Sequence, residues 1–385
     1  MRDSFLPFSP PFIGEEEISE VIDSLKSGWI TTGPKTKRFE KEFEAFVSAP
    51  GALALSSCTA ALHTALIAAN IGAGDEVITT AMTFTATVAV IEHVGAKPIL
   101  VDIEPDTMNL NPDLVAAVVT GRTKAVIAVH YGGHPCDLDA LHAICDRQGI
   151  LLIEDAAHSL PAKYKGRMIG SGKNPAAFSF YATKNLTTAE GGMLTGDMEM
   201  IDRAAVFSLH GMDRDAWKRN SNSGSWRYDV VTPGFKYNMT DIQAAIGLQQ
   251  LKKMDGILTR RREIVQMYRE RLSPLGLFDL PVQRDECESA WHLFPLRIRK
   301  GALKISRDEF IEQMRERKIG TSVHFIPVHT FTYYREKYGF VDEDFPVAFA
   351  ESERLVSLPL HPGLLNEDVG DVCGAIEDIV ERFGL

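Results

Sequence analysis

The stretch Ala177-Phe178-Ser179-Phe180-Tyr181-Ala182-Thr183-Lys184-Asn185-Leu186, closed by Ala189-Glu190-Gly191-Gly192, decides how the chain is read. An apolar, β-prone run delivers Ser179 and, five residues on, Lys184, before small residues turn the backbone. A lysine among apolar and aromatic neighbours is desolvated, which disfavours its ammonium form and makes the amine a nucleophile near neutral pH. The structural alternative is a strand-end lysine with its amine in water. The remainder of the chain has to decide between them.

Upstream, short apolar runs alternate with helical segments, the pattern of an α/β domain built on a largely parallel sheet. The expected strands are Ala52 to Leu55, Glu76 to Thr79, Lys97 to Asp102, Lys124 to His130, Ile150 to Glu154 and Ala177 to Phe180. Ligands of such sheets sit beyond the carboxyl ends of the strands, so the residues after each run carry the information.

Ser56-Ser57-Cys58-Thr59 follows the first run and opens a helix. Free N–H groups at a helix start beside hydroxyls make an anion site, although Ser or Thr there also serves as an ordinary N-cap. The segment lacks G-x-G-x-x-G and a Walker lysine, which argues against dinucleotide and P-loop readings. After the second run stands Phe84, either a core ring or a stacking face for a flat ligand. The fifth run ends in Glu154-Asp155-Ala156-Ala157-His158. A carboxylate at a buried strand tip needs a partner, and Asp155 either meets a protonated ring nitrogen or caps a helix. His130, His134, Cys136 and Asp137 are competent metal ligands, but Gly132-Gly133 and Pro135 between them read as a tight turn, and no metal is expected.

The 385 residues, 45% of them hydrophobic, suffice for two domains with a substantial core. A net charge of -11 argues against a nucleic-acid partner. Five cysteines without a C-x-x-C pair fit a reducing compartment, and neither an export signal nor a membrane-length apolar run is found, so a cytoplasmic protein is expected.

The expected domains are an arm over 1–14, a large α/β domain over 15–255 and a smaller α+β domain over 256–385, linked by a long helix over 240–272 that Thr240 caps and Gly256 bends. Helices are also expected from Glu15 to Ser27, from about Lys35 to Val47 with Phe39 and Phe43 facing the core, and from Arg307 to Arg317. A strand is expected from Trp291 to Ile298. The region past Gly192 through Ser225, with Gly211, Arg214, Asn220, Ser221, Asn222 and Gly224, reads as one long functional loop or lid. In the C-terminal part, Val323-His324-Phe325-Ile326-Pro327-Val328-His329, with Tyr333-Tyr334 behind, clusters titratable and aromatic groups.

Together the strand ends supply an anion turn, a ring, a carboxylate and a lysine, the set that holds pyridoxal 5'-phosphate (PLP). In these motifs, and in Thr31-Thr32-Gly33-Pro34, Asn238-Met239-Thr240-Asp241 and Pro327-Val328-His329, the sequence resembles the DegT-type (DegT/DnrJ/StrS) nucleotide-sugar aminotransferases, nearly end to end. The resemblance implies the aspartate-aminotransferase-like fold type I and PLP, alternating with pyridoxamine phosphate (PMP). It implies a Schiff base at Lys184, Asp155 on the pyridine nitrogen, and Phe84 on the ring. Cys58, Thr59 and Ser179 would bind the phosphate, with His158 alongside. It further implies that Asn238 reaches the phosphate of a neighbouring subunit in a homodimer with shared sites. L-glutamate would be the donor and a nucleotide-linked keto-sugar the acceptor, with amination at C4 rather than C3. Thr31, Gly33, His329 and Tyr334 are the expected sugar or nucleotide contacts. The alternatives are a related PMP-dependent dehydratase, which would carry histidine in place of Lys184, a C3-specific sugar aminotransferase, and a non-enzymatic regulator of the same fold. Cys58 stands where many relatives have glycine.

Overall fold

A computed structural model of the chain describes residues 2–213 and 228–385. Its centre is a seven-stranded sheet. In chain order the strands are β1 (Gly51–Leu55), β2 (Glu76–Thr80), β3 (Lys97–Val101), β4 (Thr123–Val129) and β5 (Leu151–Asp155). The short pair β6 (Lys163–Tyr164) and β7 (Arg167–Met168) follows, then β8 (Ala176–Ser179) and β9 (Gly192–Gly196). The order across the large sheet is β1-β9-β8-β5-β4-β2-β3. Neighbours from β8 to β3 are parallel, whereas β9 is antiparallel to both β8 and β1. Only β9 therefore runs against the rest. The carboxyl ends of β1, β2, β5 and β8 and the amino end of β9 consequently meet at one edge of the sheet.

The six strands expected from the sequence lie within a residue or so of their expected bounds, and each is buried because helices cover both faces. Phe39 and Phe43 of the helix Pro34–Val47 are fully buried and pack their rings against Phe178 and Phe180 on one face. On the other face lie the helices Cys58–Ala68, Thr85–His93 and Met198–Ser208, whose Leu62, Leu66, Ile91 and Ile201 belong to a second core.

The stretch expected to be one long loop after Gly192 is corrected. It begins with β9 and continues into the helix Met198–Ser208, capped by Asp197, whose side chain accepts from the Met200 N–H at 2.8 Å. Two glycines in five residues made β9 read as a turn. Gly192 is needed because the strand passes close to the Ser57–Cys58 backbone there, whereas Gly196 has room for a side chain. Arg214, Asn220, Ser221, Asn222, Gly224 and Ser225 lie outside the described residues.

Thr240 does cap a helix, through a reciprocal pair with Gln243. The expected single helix over 240–272 is nevertheless two, Asp241–Lys252 and Met254–Leu272. The break falls at Lys253 and not at Gly256: the Lys253 N–H turns to Gln250 O at 3.0 Å while its ammonium is held by Glu16 and Glu17. Gly256 sits unstrained inside the second helix.

From there the chain builds a separate core around a three-stranded sheet, β10 (Phe278–Asp279), β12 (Phe294–Ile298) and β13 (Leu355–Leu358), covered by the helices Arg307–Glu316 and Asn366–Phe383. A two-residue strand, β11 (Cys287–Glu288), instead pairs with β6. The strand expected from Trp291 starts only at Phe294, because Trp291 adopts a left-handed backbone (φ 47°). Leu6 joins the same region, its N–H donating to Lys318 O and its carbonyl accepting from Gly320, so the N-terminal arm is strapped down rather than free.

Candidate active site

The meeting of strand ends encloses a cavity of about 570 Å³, lined by Ser57, Cys58, Thr59, Phe84, Asp155, His158, Ser179 and Lys184 among others. Seven residues named from the sequence as cofactor contacts therefore share one cavity. Each is placed there by a strand that ends where the sheet ends.

Lys184 follows β8 in a loop closed by two backbone bonds, Phe180 N–H to Gly191 O and Thr188 N–H to Phe180 O, both 2.9 Å. Asn185 anchors it from behind, donating to the carbonyls of Leu160 and Ala290 at 2.9 Å each. Burial lowers the Lys184 amine to about 8, although Cys58 and Asp155 pull the other way. Near pH 7.4 roughly a fifth of the amine is then neutral, against about a thousandth for an ordinary lysine, which is the supply a nucleophile requires.

Asp155 closes β5 and is buried. No helix follows it, so the capping alternative falls away. Instead Oδ1 accepts from the Ala157 N–H at 3.1 Å and Oδ2 from Thr87 Oγ1 at 2.7 Å. Burial raises its carboxyl above the usual range, opposed by those bonds and by Lys184. A cation facing this carboxylate would be held strongly.

At the opposite wall, Ser57 caps the helix Cys58–Ala68, accepting from the Ala60 N–H at 3.0 Å. Capping and anion binding coexist, since the leading N–H groups of the helix have no acceptor within it. The Cys58 thiol points away, its Sγ 3.3 Å from Ala177 O. Burial pushes that thiol well above its ordinary range, so it is no nucleophile. Gly192 runs against this turn: a Cβ there would stand 2.6 Å from Cys58 N and from Ser57 O.

Phe84 is 61% exposed, a ring offered to the cavity and not a core ring. His158 accepts from the Gly132 N–H at 3.3 Å and stacks on Phe325 at 5.7 Å between centroids. Burial, reinforced by Lys184, holds it well below the usual histidine range, hence neutral.

Two of the expected sugar contacts, His329 and Tyr334, do not line the cavity. His329 is wholly buried outside the cavity, against Phe345, and Tyr334 is buried with its hydroxyl 3.2 Å from Thr85 Oγ1. The residues of that cluster that do line the cavity are His324 and Phe325. Alternation along Val323 to His329 could not say which histidine turned inward. Thr31, Gly33 and Asn238 also lie off the cavity, in one patch: Asn238 Nδ2 donates to Thr32 Oγ1 at 2.6 Å, and the Gly33 N–H to Asp241 Oδ1 at 2.8 Å. His130 and His134 are engaged elsewhere, His130 Nε2 with Glu154 at 3.0 Å and His134 Nδ1 with Asn109. Thr87 escaped the sequence reading, although the hydroxyls at 83, 85 and 87 after β2 were its signal.

An anion-binding helix start, an exposed ring, a carboxylate that wants a cation and a depressed lysine match the phosphate, ring, pyridine nitrogen and aldehyde of PLP. On this sheet they define a fold type I PLP enzyme. The chain belongs to the DegT/DnrJ/EryC1/StrS aminotransferase family, whose profile matches residues 11–377. It is 50% identical over 382 residues to the spore coat polysaccharide biosynthesis protein SpsC of Bacillus subtilis, covering 99% of this chain and 98% of SpsC. Among solved structures, Spr1654 from Streptococcus pneumoniae in its PMP form superposes with a TM-score of 0.92 at 37% identity, with 98% of each chain covered. The sugar aminotransferase CalS13 from Micromonospora echinospora gives 0.86 at 29%, covering 97% of this chain and 99% of CalS13. The protein is accordingly a PLP-dependent sugar aminotransferase. Among the described residues no helix is long and apolar enough to cross a membrane.

Proposed function

We propose that the enzyme moves the amino group of L-glutamate to the C4 ketone of a nucleotide-linked 4-keto-6-deoxy or related sugar, in two half-reactions that share Lys184. The observation that carries this reading is the Lys184 amine, lowered to about 8 in a cavity that also holds Asp155. When bound, PLP supplies an electrophilic carbonyl and an electron sink. The chain's residues supply the rest. Asp155 holds a proton on the facing ring nitrogen, the helix start at Cys58 and Thr59 with Ser179 grips the phosphate, and Phe84 covers the ring. Lys184 Nζ then takes and returns the migrating proton, which its depressed basicity suits at neutral pH. His324, whose Nδ1 lies 3.0 Å from Ser357 Oγ, faces the sugar in this reading.

We further propose that the enzyme works in the cytoplasm as a homodimer whose partner completes each site through Asn238 and the Thr31–Gly33 turn. The helix Glu15–Ser27 supports this: it buries Glu17 and Ser24 and turns Ile18, Ile22 and Leu25 outward, continued by Trp29 and Ile30. Five unpaired cysteines fit a reducing compartment.

The test is to convert the purified enzyme to its PMP form with glutamate and to offer nucleotide 4-keto and 3-keto sugars, following the return of the aldehyde absorbance and the product mass. Turnover only with 3-keto sugars would overturn the C4 assignment. Mixing inactive Lys184→Ala with inactive Asn238→Ala should restore part of the activity if sites are shared, and none if they are not.

A further inference from the structure

Asp155 is held by a group that the reaction as described does not use. Thr87 Oγ1 stands 2.7 Å from Asp155 Oδ2, and Thr83 Oγ1 stands 2.8 Å from Thr87 Oγ1. Both threonines are buried, 1% and 2% exposed, so water does not compete for these bonds. A hydroxyl has one proton to give. An ionised carboxylate only accepts, so Thr87 donates to Asp155 and must accept from Thr83. The chain Thr83 to Thr87 to Asp155 therefore has a fixed direction, each bond polarising the next toward the carboxylate.

We propose that Thr87, backed by Thr83, is a positioning residue: it pins Asp155 Oδ2 so that the carboxylate stays ionised and correctly turned for the cofactor's ring nitrogen. This rests on the reading of Asp155 given above. Thr87 lies in the first turn of Thr85–His93, the helix that Phe84 precedes, so one short segment sets both the ring that covers the cofactor and the acid that anchors it.

The groups around Asp155 show why a donor is needed. Burial disfavours its charge; Lys184 opposes that, but its own ammonium is weakened by burial, and the His130 ring is already committed to Glu154. Cys58 gives no hydrogen bond of consequence: its Sγ is 3.9 Å from Oδ1 but 3.3 Å from Ala177 O, which takes the thiol proton. The Ala157 N–H holds the other oxygen. Thr87 is thus the side-chain donor on which Oδ2 depends.

The test compares Thr87→Val, which keeps shape and loses the hydroxyl, with Thr87→Ser, which keeps the hydroxyl, and with Thr83→Val. PLP affinity is measured by equilibrium dialysis, and the visible spectrum of the holoenzyme is titrated with pH. Loss of a charge-assisted bond predicts that Thr87→Val binds PLP about ten- to a hundredfold more weakly. The defect should deepen as pH falls, because the freed carboxylate protonates sooner. Thr87→Ser should restore most of the affinity, and Thr83→Val should lose a smaller factor. Wild-type affinity and an unshifted pH titration in Thr87→Val would overturn the proposal, as would a Thr87→Ser defect equal to that of Val. If Thr87→Val fails to fold, Thr83→Val decides: wild-type affinity there overturns the chain. Asp155→Asn separates the two readings. A normal Asp155→Asn enzyme sinks the role of Asp155 itself, whereas an impaired one beside a normal Thr87→Val sinks only the present inference.

Discussion

Asn185 Oδ1 and His292 Nδ1 lie 3.1 Å apart, which ties the residue after Lys184 to the segment that leads into β12. Because the Asn185 amide nitrogen already donates to two carbonyls, its oxygen must accept, and His292 carries its proton on Nδ1. Burial keeps His292 well below the usual histidine range, so the imidazole stays neutral. Replacing Asn185 by Leu would strand the buried carbonyls of Leu160 and Ala290 and the His292 N–H. Each costs about 1–3 kcal/mol when unsatisfied. We expect calorimetry of Asn185→Leu to show a melting point several degrees lower, with kcat down at least about tenfold because Lys184 loses its anchor. An unchanged melting point would show that the loop holds Lys184 without this bond.

Lys184 sets a pH dependence of its own. Attack on the PLP aldehyde needs the neutral amine, so reconstitution of the apoenzyme should accelerate as pH rises and level off above about 8. Stopped-flow absorbance measures this directly. A rate that climbs without a break toward pH 10 would mean that the amine is solvated after all. The same shift fixes a sign for stability. Between about 8 and the ordinary lysine value of 10.5, the unfolded chain holds a proton that the folded apoenzyme lacks, so this group adds stability as pH rises through that window.

Gly192 tests the phosphate turn. An added Cβ would meet backbone atoms Cys58 N and Ser57 O, which cannot rotate away, and overpacking of this kind costs about 1–3 kcal/mol. We expect Gly192→Ala to weaken PLP binding at least about tenfold by dialysis, since the helix start must move. Gly196→Ala is the control at the other end of β9, where the nearest atom is 3.6 Å away, and its PLP affinity should stay at the wild-type level.

These sites were legible to different degrees for physical reasons. A parallel strand buried on both faces is a continuous apolar run, so β2, β4 and β5 and the polar residues at their ends stood out. Lys184 and Asp155 stood out as charges beyond the carboxyl ends of such runs, and Phe84 as a ring set among polar residues past another. The strand β9 was missed because Gly192 serves a close approach to the Ser57–Cys58 turn, a tertiary demand that looks like a turn in sequence. Thr87 was missed because a threonine in a helix's first turn is unremarkable until its partner across the cavity is known. The break at Lys253 depends on Glu16 and Glu17, more than two hundred residues away in the chain.

The histidines at 324 and 329 bring that limit to a measurement. His324 lines the cavity with its ring 5.5 Å from Phe8, whereas His329 is sealed away, both ring nitrogens lacking a hydrogen-bond partner among the described residues and Nε2 3.9 Å from Asp342. If His324 faces the acceptor sugar, His324→Ala should raise KM for the nucleotide sugar by about tenfold, the worth of one lost hydrogen bond to substrate, and leave the glutamate half-reaction within about threefold of wild type. His329→Leu removes two buried polar atoms that make no hydrogen bond, so its melting point should hold or rise and the sugar KM should not move. Steady-state kinetics of both variants, with calorimetry of the second, decide the matter. A raised KM in His329→Leu beside a normal His324→Ala would return the sugar site to the residue that the sequence alone had favoured.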